Sequence, residues 1–207
     1  MEIGMISKVL VGITCVVYFI TSSKPELINK FIFYPRLIDQ TKQYYRFITH
    51  GFLHANQMHL FVNMIVLFSF GSALEHYFAR QVGASQGVIY FLLLYFSALI
   101  VSSIPSYLKH RDDPSYRALG ASGATAAVLF SCILFNPWAN LLLFFVIPVP
   151  QIIFGVLYIG YEYYQSQKAN DNIGHDAHLS GAIYGVVFTL VSMPEVAGIF
   201  AQKLLGN

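Results

Sequence analysis

"RALGASGATAAVLF", residues 117–130, has the composition of a membrane helix, yet a serine stands at its head among small residues, Gly120, Ala121, Ser122 and Gly123. From Ser122 to Phe135 such a helix rises roughly 21 Å at 1.5 Å per residue, against a hydrocarbon core of about 30 Å. With Asn136, Pro137 and Trp138 marking the far interface, Ser122 lies roughly 9 Å below the near one. A hydroxyl at that depth is costly unless it faces another polar group or a water-filled cavity, which makes it a functional candidate.

The rest of the chain supports a lipid environment. Of 207 residues, 56% are hydrophobic and only 11% charged, where soluble domains average roughly 25% charged. A net charge of +2, with no Lys/Arg cluster on one periodic face, argues against a nucleic-acid partner. Cys15 and Cys132 lie inside apolar runs and predict buried thiols, not a disulfide. No repeat, linker or second composition regime divides the chain, so residues 1–207 are expected to form a single transmembrane domain without a separate soluble one. Lys8 ahead of Val9 to Ile20 imitates a signal peptide, but no small-x-small cleavage pattern follows, and the segment is taken as a span.

Six apolar stretches approach spanning length: Met5 to Ile20, Met58 to Leu74, Val88 to Ile104, Leu119 to Phe135, one within Leu141 to Tyr161, and Ala177 to Met193. Pro148 and Pro150 are expected in the first turn of the fifth, where proline is tolerated. Leu141 to Ile147 would then lie along the interface. With six spans, the second, fourth and sixth run in one direction, and their N-terminal ends share one face. "MHLFVNM", "GASGAT" and "AHLSG" place polar groups at that shared end. His178 falls at a depth similar to that of Ser122 by the same arithmetic.

Gly123, Ala127 and Ser131 form a small-residue stripe at i, i+4 and i+8, as do Gly181, Gly185 and Thr189. Stripes of this kind let membrane helices approach backbone to backbone. Packed together, they bring Ser122 and His178 into hydrogen-bonding reach, the arrangement of a nucleophile and its general base. Taken alone, each of these residues has a simpler reading as helix packing or an interior histidine. His59 and Asn63, at i and i+4, could serve as oxyanion donors with the Ser122 N–H at its helix N-terminus, or form an interhelical polar clamp. The spacing of His50, His54 and His59 lacks the Glu of a zinc-protease helix and carries no Cys or carboxylate, so no metal site is expected. His175 and Asp176 precede the sixth span, but nothing in the sequence requires either to orient His178. The chemistry is therefore that of a Ser–His dyad without cofactor.

Three stretches together, "YYRFITHGFLHANQMHLFVN" (44–63), "GASG" (120–123) and "AHLSGAIYG" (177–185), closely resemble the rhomboid family of intramembrane serine proteases. The resemblance covers nearly the whole chain. It implies an all-α membrane protein, a six-transmembrane-helix bundle of rhomboid type with a membrane-embedded first loop. It also implies Ser122 as nucleophile and His178 as general base, with His59 and Asn63 assisting the oxyanion. Arg46, His50, His54 and Glu75 would be structural supports, alongside the packing glycines Gly120, Gly123, Gly181 and Gly185. The fifth span and the loop after it would form the substrate gate, whose mobility Pro148 and Pro150 would influence. Two positions depart from the family pattern. Tyr44 and Tyr45 stand where many members have a tryptophan, and Ala126 stands where some carry a tyrosine that stacks on the catalytic histidine.

The implied activity is cleavage of single-span transmembrane substrates within the lipid bilayer, in a cell membrane, with the active site open to the extracytoplasmic side. That orientation puts three basic residues inside, Lys8, Arg80 and Lys203, and nine outside. The positive-inside rule opposes it, although a loop folded into the membrane need not obey a rule about translocated tethers. Two other function classes are a catalytically silent relative that binds membrane clients, which predicts a missing nucleophile or base, and a transporter lined by midplane polar groups.

Overall fold

The computed structural model describes residues 3–144, 146–168 and 174–206. Among the described residues the regular structure is helical apart from one hairpin. Helix α1 spans Met5–Thr21. Three short helices follow in the first loop, α2 Pro25–Phe31, α3 Pro35–Thr41 and α4 Arg46–Thr49, then a 3₁₀ turn at His50–Phe52. Helices α5 (Gln57–Val66) and α6 (Ser72–Val82) are joined through a π-helical segment, Leu67–Gly71, into one continuous stretch. Helix α7 covers Ala84–His110 and α8 covers Ser122–Phe135. The hairpin, β1 Asn140–Leu143 with β2 Ile147–Pro150, leads into α9 (Gln151–Lys168). The chain ends with α10 (His175–Ser192) and α11 (Glu195–Leu205).

By length and composition, Gln57–Val82 and Ala84–His110 can each cross a membrane. Helices α10 and α11 pass together as a pair bent by 115°, and α1 and α8 are shorter apolar helices. Helix α8 is the axis of the bundle, with every residue from Gly123 to Phe135 buried. The helices around it turn large apolar side chains outward, among them Val16 and Phe19 of α1, Val156 and Leu157 of α9, and Val187 and Val191 of α10. Such a belt suits lipid rather than water.

One expectation is corrected. Pro148 and Pro150 lie in β2, ahead of α9 rather than within its first turn, paired with Leu142 and Asn140. In a two-stranded hairpin each strand keeps an open edge, so a residue without an N–H costs no ladder bond when it faces outward. The consequence is a shift in register. Helix α9 begins at Gln151, whose N–H donates to Ala139 O at 2.9 Å, and continues past Tyr161 to Lys168. Cys15 and Cys132 are both free thiols.

Candidate active site

The first loop fixes the approach to Ser122. Phe33 and Ala118 exchange backbone hydrogen bonds of 3.0 Å in both directions, and the Gly120 N–H donates to His50 O at 3.0 Å. Gly120 then takes φ +122°, a region that L side chains rarely adopt, and α8 starts two residues later. A Cβ at Gly120 would also lie 2.6 Å from Cε1 of His59. Glycine is therefore needed here twice over, once for the backbone and once to admit the imidazole.

Arg46 is buried and works within the loop. Its Nη1 donates to Asn29 O (3.0 Å) and Ile32 O (2.7 Å), and its Nε to Gln43 Oε1 (2.8 Å). His50 lies 3.1 Å through Nε2 from Ser103 Oγ of α7. Burial holds its pKa down to about 4. His54, also buried, packs edge-on against His59 at 5.0 Å between ring centroids. Its pKa is held down to about 3, first by burial and then by the neighbouring His59. Glu75 of α6 sits far from this end. It accepts from the N–H groups of Gly4 (3.2 Å), Ile6 (3.2 Å) and Ser7 (2.7 Å) and so caps the start of α1.

The two small-residue stripes meet. A Cβ on Gly181 would overlap the backbone carbonyl of Gly123, and one on Gly185 would overlap that of Ala127. One turn further, Ser131 Oγ donates to Gly185 O (3.0 Å) and Thr189 Oγ1 to Ser131 Oγ (2.9 Å). Ser122 precedes the first of these contacts by one residue and His178 by three, so both stand at the same end of the α8–α10 seam.

Asn56 caps α5 by accepting from the His59 N–H at 2.8 Å, which sets His59 in the first turn. Asn63 is tied on both sides. Its Oδ1 accepts from Thr125 Oγ1 of α8 (3.0 Å), and one N–H of its amide donates to His59 O (2.8 Å). An amide nitrogen carries two protons, and the contact with His59 O uses one of them. The first-turn amides of α8 have no intrahelical acceptor.

Sequence reasoning missed Glu162. This buried carboxylate of α9 meets His178 Nδ1 through Oε1 at 3.0 Å and His175 Nδ1 through Oε2. Tyr158, one turn earlier on α9, stacks on the His178 ring at 6.5 Å and 29°. The brace that Ala126 does not supply thus comes from α9. The signal is an ionisable side chain at the end of an apolar stretch, one residue beyond Tyr161, where the hydrophobic run stops. Asp176 instead pairs with Lys109 at 3.1 Å. Among the described residues, Glu162, His175 and His178 are also the set that could hold a metal ion, their ligand atoms lying within 4.8 Å of one another. His50, His54 and His59 form no such group there.

The family model for the rhomboid domain matches residues 41–195, which takes in all three motif-bearing stretches. The chain belongs to the rhomboid family. It is 33% identical over 147 residues to RHOMBOID-like protein 12, mitochondrial, of Arabidopsis thaliana, covering 68% of this chain and 44% of that protein. It is 27% identical over 160 residues to the rhomboid protease GlpG of Haemophilus influenzae, covering 76% and 74% respectively. With the rhomboid protease GluP of Bacillus subtilis it shares 29% identity over 167 residues, 79% of this chain but only 29% of that one. The chain thus spans less than half the length of two of these three relatives.

Proposed function

We propose that this protein is an intramembrane serine endopeptidase that cleaves transmembrane segments of membrane proteins. The observation that carries the reading is the convergence of the N-terminal parts of α5, α8 and α10, with His59 against Gly120, Asn63 bonded to Thr125 and Gly181 against Gly123, which brings the ends bearing Ser122 and His178 together. The helices α1, α5–α6, α7, α8, α9 and α10 would be the six spans of one rhomboid domain occupying the chain. His178 takes the proton from Ser122 Oγ as the oxygen attacks a peptide carbonyl. The Ser122 N–H, His59 and Asn63 steady the tetrahedral oxyanion, and His178 then protonates the leaving amine and activates water for deacylation. A peptide bond held in a helix is shielded, so substrates should carry helix-weakening Gly or Pro near the cut. The enzyme would lie in a cell membrane with the site open to the extracytoplasmic side and would need no cofactor.

The test is reconstitution of the purified protein with a labelled single-span substrate, comparing wild type with Ser122→Ala and His178→Ala. Cleavage by wild type that either substitution abolishes supports the reading, and cleavage that survives either one rejects it. A catalytically silent client-binding protein would bind the same substrate without cutting it. The presence of both Ser122 and His178 speaks against that alternative.

A further inference from the structure

We infer that Glu162 is a positioning residue that converts the Ser122–His178 pair into a Ser–His–Glu triad, its carboxylate delivered by α9. The inference rests on the protease reading for its consequence but on geometry for its content. An ionised carboxylate only accepts hydrogen bonds. With Oε1 at 3.0 Å from His178 Nδ1, the proton of the neutral ring is held on Nδ1 and the lone pair is left on Nε2. A base that must take a proton from Ser122 Oγ needs that tautomer. After the transfer the imidazolium carries both protons, and Glu162 lies against the charge so formed.

Three further observations fit this role. Glu162 is 4% exposed on a helix whose other buried residues are Gln151 and Gly155, so α9 is lightly packed and yet hides a carboxylate. A buried carboxylate in an apolar span is expensive and persists where it is paired. Its second oxygen is fixed by His175, which leaves Oε1 aimed at His178 rather than free to turn. Tyr158 stacks on the same ring from the same helix, so two groups of α9 hold His178, alongside the edge-on ring of His175 at 6.2 Å.

The experiment uses Glu162→Gln, which preserves shape, and Glu162→Asp, which preserves charge, in the full-length reconstituted protein with melting temperature as the folding control. Two readouts are taken, steady-state cleavage and the ¹⁵N shifts of the His178 ring. For Glu162→Gln we expect kcat to fall by on the order of 10²-fold with KM within about twofold. We also expect the ring shifts to move from a fixed Nδ1–H form to a tautomer mixture. Glu162→Asp should recover part of both. An unchanged kcat, or a lower kcat with unchanged ring shifts, overturns the inference, as does a stoichiometric metal in wild type that Glu162→Gln loses. Because the ring shifts need no turnover, a protein that cuts nothing would refute the protease reading while still deciding the place of Glu162.

Discussion

The backbone carbonyl of Gly123 occupies the space that a Cβ on Gly181 would need. Because the obstacle is backbone, it cannot rotate away, and Gly181→Ala must push α10 off α8. Overpacking of this kind typically costs about 1 to 3 kcal/mol. The displacement also widens the gap between Ser122 and His178, so cleavage should fall by more than tenfold. Gly160→Ala on α9, where a Cβ meets nothing within 4 Å, should leave the rate unchanged and the melting temperature unchanged or slightly raised, because alanine favours a helix over glycine. Thermal melts in detergent beside cleavage rates check both.

Glu75 and α1 make a second case, separable from catalysis. Removing the carboxylate with Glu75→Ala strands the amides of Gly4, Ile6 and Ser7 in the buried start of α1. The expected loss is about 2 to 4 kcal/mol of stability. Ser122→Ala should abolish cleavage and leave the melt where it was. Equal melts for the two variants would contradict the capping role.

Stability should decline on mild acidification. His50 titrates near 4 in the folded chain, against an ordinary value of 6.5. Between those values the unfolded chain binds a proton that the folded chain does not, so His50 favours folding fully above about 6.5 and progressively less as pH falls toward 4. The full effect is on the order of 3 kcal/mol. His54 acts in the same direction, its folded value being about 3. Melting temperature recorded from pH 8 down to 4.5 should fall below about 6.5, and His50→Gln should flatten that slope.

How much of this was legible in the sequence depends on the interaction that decides each element. The α8–α10 seam was readable, because small residues at a spacing of four specify close backbone approach without reference to anything else. The expectation that Ser122 and His178 stand at one end of it rests on the same spacing. The entry to α9 was not readable. Pro148 and Pro150 are compatible with a first helical turn and equally with the open edges of a hairpin, and only the pairing with Asn140 and Leu142 selects the second. The helix also runs on past Tyr161, where the apolar run stops, and Glu162 reaches His178, a contact between residues 16 apart in sequence. Nor does Gly120 announce that it makes room for His59, since the clash it avoids belongs to another helix.

That clash yields a further outcome. Gly120→Ala sets a Cβ at 2.6 Å from the His59 ring on a backbone of φ +122°. The strain itself costs of order 1 to 3 kcal/mol, and the ring must leave its place against residue 120. Loss of one oxyanion donor typically lowers kcat by about 10²- to 10³-fold. Gly120→Ala and His59→Ala should therefore reduce kcat to similar extents, and the double variant should add little to either. Multiplicative losses would mean that the two residues act independently.

The central claim is that the Ser122 hydroxyl is made nucleophilic by His178, and covalent capture tests it most directly. A fluorophosphonate reacts when an activated serine oxygen attacks phosphorus and fluoride departs. Intact-protein and peptide mass spectrometry of the membrane-reconstituted chain should show one phosphonyl adduct, on Ser122, absent from Ser122→Ala and strongly slowed in His178→Ala. No adduct on Ser122, or an adduct that forms as fast without His178, would contradict the account.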